Sequence, residues 1–155
     1  MFRRTFVSIA CGLAAATIAL PALASNYGTK DEALALARKA VAHYKAVGKD
    51  KAFADFNNKT GGFVDRDLYV FVFDAKGMVL SHGANEKLIG RDLMQLKDAD
   101  GKEVMKEIVQ VAFKGPGKGW VDYKWPNPVT KQIEAKSTYV EKSEDVVFGV
   151  GIYKQ

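Results

Sequence analysis

The sequence predicts an α+β domain. One long helix leads, and an antiparallel sheet of five strands follows, with a helical excursion between the second and third. Two observations predict it. Apolar residues recur at a period near 3.6 over residues 30–47, then at a period of 2 in five separate runs from Leu68 onward. Turn-forming residues join those runs into one hairpin and one three-strand meander, the connections of an antiparallel sheet.

Residues 1–24 read as a cleavable export signal. Arg3 and Arg4 give a positive start, an apolar run follows from Phe6 to Leu20, and Pro21 precedes the small-residue site Ala22-Leu23-Ala24. The apolar run is shorter than the ~20 residues a membrane-spanning helix needs, so cleavage after Ala24 is expected. Cys11 lies inside that run and lacks the leucine of a lipoprotein site. The mature chain, residues 25–155, is then one cysteine-free domain, periplasmic or secreted.

The first mature helix is expected over residues 30–47. Thr29 and Glu32 form a capping box, Leu34, Ala37, Val41 and Tyr44 make one stripe, and Gly48 ends it. Asp50 is expected to cap a short second helix carrying Phe53 and Phe56. Residues 68–73 alternate with both faces apolar, as in a central strand covered on both sides. Asp74-Ala75-Lys76-Gly77 turns the chain back into a second strand, 78–82. The excursion is irregular over 86–96, and Asp100-Gly101 is expected to open a helix over 102–113 that Gly115-Pro116-Gly117 stops. Strands over 119–125, 133–140 and 146–153 close the chain.

Charge and motifs exclude several function classes. Loss of Arg3 and Arg4 takes the net charge from +5 to +3, and the lysines are spread along the chain, which argues against a nucleic-acid footprint. No second segment is long and apolar enough to cross a membrane. HExxH, CxxC, GxSxG and a phosphate-cradling glycine loop are all missing. Asp98 and Asp100 hint at a calcium loop but lack the later oxygen ligands, and helix capping is the expected role. His43 is expected at the surface. Ser81 and His82 are strand neighbours and face opposite ways, so they make no nucleophile–base pair. No catalytic residue, metal site or cofactor is expected, and the chain reads as a binding protein.

Tyr69, Phe71, His82, Trp120, Tyr123, Trp125, Lys136 and Tyr139 all lie in or beside strands. Aromatic walls with a few polar groups line small-molecule pockets, and a carboxylate would satisfy a half-buried Lys136. Aromatic residues in strands also build plain core, and alternation alone leaves both readings open. Gly149 and Gly151 leave one face of the last strand bare. The gap admits a ligand, another backbone, or Trp120 or Trp125.

In order and spacing, several segments resemble the type-2 single Cache domain. They are Leu68 to His82 (LYVFVFDAKGMVLSH), Leu88 to Leu93, Asp100-Gly101-Lys102, Gly119 to Pro128, Lys136 to Val140 and Gly149 to Tyr153. The likeness runs from about Ala33 to Tyr153. It departs at Gly83, where the family commonly has proline, and before the last strand, where a tryptophan is missing near Asp145-Val146. The resemblance implies a PAS-like Cache fold, the extracytoplasmic sensing module of chemoreceptors and sensor kinases, binding small organic acids or similar metabolites. It places the pocket on the sheet face away from the long helix, with Tyr69, His82, Tyr123, Trp125, Lys136 and Tyr139 at motif positions. Phe71 joins them as an aromatic wall. Lys136 would pair a ligand carboxylate. The chain carries no second membrane helix or signalling module, so a membrane receptor, sensor kinase or transporter is the expected partner. An interaction module without a small ligand, and a non-covalent haem sensor using His82, are the alternatives.

Overall fold

The computed structural model describes residues 26–154; the expected export signal, residues 1–24, lies outside them. Helix α1, Lys30–Val47, begins as its capping box dictates. Thr29 accepts from the Glu32 amide, and the Glu32 carboxylate accepts from the Thr29 amide at 2.7 Å. Gly48, at φ 81°, ends α1 and also starts α2, Lys49–Asn57, so Asp50 sits in the first turn and is not the cap. His43 is partly buried, its Nε2 2.8 Å from the Asp55 carboxylate, and this pins α1 to α2.

Among the described residues six strands form the sheet: β1 Val64–Asp65, β2 Leu68–Asp74, β3 Val79–His82, β4 Lys118–Pro126, β5 Ile133–Ser143 and β6 Val146–Tyr153. The order is β1-β2-β6-β5-β4, with β3 also on β2, and every pairing is antiparallel. The sixth strand is β1, two residues long, too short to show alternation. Strand β2 is central, with β6 on one side and β1 and β3 on the other.

The two faces of β2 feed two cores. Leu68, Val70 and Val72 pack with Phe148 and Val150 against α1 and α2. Tyr69, Phe71 and Phe73 face the other way, toward Val121, Tyr123 and the excursion. The excursion runs over a single 3-10 turn at Glu86–Leu88, then α3, Val104–Val109, which loosens into a wider turn at Gln110–Lys114. Its helix starts two residues later than expected. The Asp98 carboxylate explains why: Oδ1 accepts from the Asp100 and Lys102 amides and Oδ2 from the Lys124 amide. Asp98 therefore ties a loop to β4, and caps no helix. Val104, Met105 and Ile108 of α3 are buried over the second face of the sheet.

Candidate functional site

Cross-strand register builds the site. Lys136 on β5 stands directly between Tyr123 on β4 and Tyr153 on β6, and Phe71 on β2 stands between His82 on β3 and Gly149 on β6. All of these point to the face away from α1, because side chains alternate along each strand. Between this face and the excursion lies an inner cavity of about 30 Å³, room for roughly two waters. Tyr69, Phe71, His82, Tyr123 and Trp125 line it from the sheet, and Leu93, Leu96, Val104, Met105 and Ile108 line it from the excursion.

Lys136 is the unusual residue of the site. It is 1 % exposed, and its ammonium donates to the Tyr69 hydroxyl at 2.6 Å and the Tyr153 hydroxyl at 3.4 Å. It also lies 4.1 Å from the Tyr69 ring centre, 4.8 Å from that of Tyr153 and 5.7 Å from that of Phe71. No carboxylate among the described residues reaches it at ion-pair distance. Burial pulls its pKa down to about 7, and the more distant Asp67 resists the fall. Lys136 does not line the cavity itself; it is joined to the cavity wall through its bond to Tyr69.

The glycines of β6 explain how so long a side chain fits. A methyl on Gly151 would overlap the Lys136 stem and the Thr138 hydroxyl, and one on Gly149 would overlap the Phe71 ring. The bare face is filled by lysine and phenylalanine, not by a ligand or either tryptophan.

His82 is 4 % exposed, its ring 4.9 Å from that of Tyr69. Burial, and secondarily the Lys136 charge, hold its pKa near 3, so the ring is neutral. Its Nδ1 accepts from the Asn85 amide at 3.0 Å, which leaves Nε2 as the protonated nitrogen. Nε2 has no hydrogen-bond partner among the described residues. Asn57 anchors the strand behind it, accepting from the Ser81 hydroxyl and the His82 amide. Tyr123 donates to or accepts from Thr138 at 2.9 Å and sits edge-on to Trp125. Burial pushes the hydroxyls of Tyr69, Tyr123 and Tyr153 well above the ordinary tyrosine range, so all three stay protonated.

An outer cleft of about 730 Å³ adjoins the inner cavity. Tyr69, His82, Leu93, Leu96 and Trp125 line both spaces and form the partition between them.

Six of the seven expected site residues are thus brought together, five as cavity walls and Lys136 joined to them through Tyr69. Tyr139 is the exception. It lies on the α1 face, against Trp120, with its hydroxyl donating to Glu141 at 2.9 Å. Residues 136 and 139 are an odd number apart in a regular strand, so they must face opposite ways. The walls from α3 lie outside the expected site residues, although the helical spacing of Val104 and Ile108 marks an apolar face needing a partner.

Over residues 23–155 the chain matches the model of the single Cache domain 2 family. It belongs to that family. Single Cache domains are extracytoplasmic sensory domains that bind ligands and do not catalyse. Among curated proteins, the chain is 34 % identical over 91 residues to the methyl-accepting chemotaxis protein McpP of Pseudomonas putida, and 33 % identical over 90 residues to the sensor histidine kinase MctS of Rhizobium johnstonii. Each likeness takes in 57 % of the chain but only 16 % and 19 % of the relative, so the chain spans under a fifth of either. In structure it resembles a methyl-accepting chemotaxis protein from Vibrio parahaemolyticus, with a TM-score of 0.71 and 26 % identity, over 80 % of this chain and 87 % of that one. It also shares the fold of a Cache chemosensory domain described for carboxylic acid recognition, with a TM-score of 0.68 and 24 % identity, over 81 % and 92 %. No helix among the described residues of this Cache domain is long and apolar enough to cross a membrane.

Proposed function

We propose that this Cache domain is an exported sensor for a short aliphatic carboxylate of two to four carbons. The carboxylate sits at the partition, accepting from His82 Nε2–H and the Tyr69 hydroxyl, and the alkyl end enters the apolar inner cavity. One observation carries the reading: a buried lysine with no carboxylate at ion-pair distance among the described residues, bonded to the tyrosine at the partition. A cation left that way costs free energy that an incoming anion offsets. Lys136 acts through Tyr69, whose hydroxyl accepts from the ammonium and is thereby a stronger donor; its proton, which faces the Tyr153 hydroxyl at 3.3 Å, swings from there to the ligand. That a related Cache domain is described for carboxylic acid recognition supports the ligand class. The inner cavity is small, so binding of the longer acids involves movement of α3 side chains such as Met105, which has the flexibility to give way.

The domain would act in the periplasm and pass its ligand state to a membrane receptor, sensor kinase or transporter. Its relatives are themselves a chemoreceptor and a sensor kinase.

Titration calorimetry against acetate, propionate and butyrate tests the ligand. Saturation at a hundred times Kd stabilises the fold by about 2.7 kcal/mol, which raises the melting temperature by roughly 10 °C for a domain of this size. No heat and no melting shift with any of the three acids would overturn the reading.

A further inference from the structure

The outer cleft has a composition that a short monocarboxylate does not use. Lys87, Arg91 and Lys131 line it, and no aspartate or glutamate does. Arg91 is held in place, its backbone amide donating to Leu88 and its Nε–H to the Lys87 carbonyl at 3.1 Å. Its remaining guanidinium N–H groups have no protein partner among the described residues. Lys87 makes no side-chain bond there either, and the Lys131 ammonium reaches only the Pro128 carbonyl. The nearby carboxylates are turned to other work. Glu134 accepts from Asn127 and Thr130 in the β4–β5 turn, and Asp92 accepts from the Met94 amide. Glu86 does not line the cleft. Size points the same way, because a molecule small enough for the partition and a 30 Å³ cavity leaves most of the adjoining 730 Å³ unfilled.

We infer that the outer cleft is an anion-binding compartment, and that the domain takes acids carrying two or three carboxylates. One carboxylate lies at the Tyr69–His82 partition and the others among Lys87, Arg91 and Lys131. The first half of this placement rests on the carboxylate site proposed above; the second rests on the cleft alone. Arginine offers two parallel N–H donors to a carboxylate, and a concave wall of one charge sign concentrates anions at its mouth. Trp125, Pro126 and Pro128 give the cleft a stiff wall in and beside the turn that carries Lys131.

The test is calorimetry with propionate, succinate and tricarballylate on the exported domain and on its Lys87→Ala/Arg91→Ala/Lys131→Ala variant. All three side chains lie at the cleft surface, so the variant keeps the fold, which its melting curve checks. The expected result is a loss of roughly tenfold or more in tricarballylate affinity, with succinate intermediate and propionate changed less than about threefold. Equal tricarballylate affinity in both proteins, or none in the wild type, overturns the inference whatever propionate does. Tricarballylate binding that the variant loses, in a protein that ignores propionate, upholds the cleft and overturns the monocarboxylate reading instead.

Discussion

Replacing Lys136 by methionine isolates the cost of its charge, because methionine keeps most of the stem that packs over Gly151 and removes only the ammonium. Unfolded, the amine keeps its proton until near pH 10.5; folded, it gives it up near 7. Between those values the unfolded chain binds one more proton, so wild-type stability climbs with pH across the window. Below pH 7 both states are protonated and the cost is fully present. The gap between the two pKa values corresponds to roughly 5 kcal/mol, and loss of the bonds to Tyr69 and Tyr153 gives back about 1–2 kcal/mol. The unliganded Lys136→Met domain should therefore be more stable than wild type by about 3 kcal/mol at pH 6. The advantage should shrink steadily from pH 7 to 10. Urea unfolding at half-unit pH intervals reads this directly. His82, held near 3, titrates below that range and adds nothing to it. Parallel stability curves for the two proteins, or a variant weaker at pH 6, would refute the claim that Lys136 is a buried, uncompensated cation. The same variant should lose carboxylate binding.

Three further outcomes follow from the same geometry. Monocarboxylate affinity should stay level from pH 5.5 to 6.5 and fall as the pH rises through about 7, by up to tenfold per unit, because the site needs protonated Lys136; a step near 6.5 that His82→Gln abolishes would assign the titration to the imidazole instead. Gly151→Ala forces a methyl into the Lys136 stem and should cost about 1–3 kcal/mol, with weaker ligand binding, and unchanged denaturant curves and affinity would contradict that packing. Asp67 is buried with one carboxylate oxygen accepting from the Gly28 amide and the other without a hydrogen-bond partner among the described residues, and burial raises its pKa. Wild-type stability should then fall as the pH climbs above the ordinary aspartate range, and Asp67→Asn should remove that fall; a variant whose stability still falls over that range would assign the titration to another group.

Local chemistry made much of this fold legible. The Thr29–Glu32 box, the Gly48 stop, the Asp74–Gly77 turn and the two apolar faces of β2 each leave a mark within a few residues, and each stands where the pattern put it. What stayed hidden depends on partners far along the chain. The loop role of Asp98 needs Lys124, and the orientation of His82 needs Asn85 together with Asn57. Strand β1 is too short to carry a period. Tyr139 is a different case. Its side of the sheet follows from counting along β5, and grouping it with Lys136 set aside the parity that the strand imposes. Lys136 itself was found by residue type among aromatic strands, but its full burial could not be read without knowing that Gly151 lies opposite Thr138.

Those two glycines on β6 have a meaning for how such a sensor changes over generations. The depth of the cation is set by what its neighbour omits. Under the carboxylate reading proposed above, a mutation at 149 or 151 would leave the ligand's own contacts in place, yet it would press on the Phe71 ring or the Lys136 stem that support them. Ligand preference in this sheet can therefore drift through its two least conspicuous positions while every wall residue stays the same.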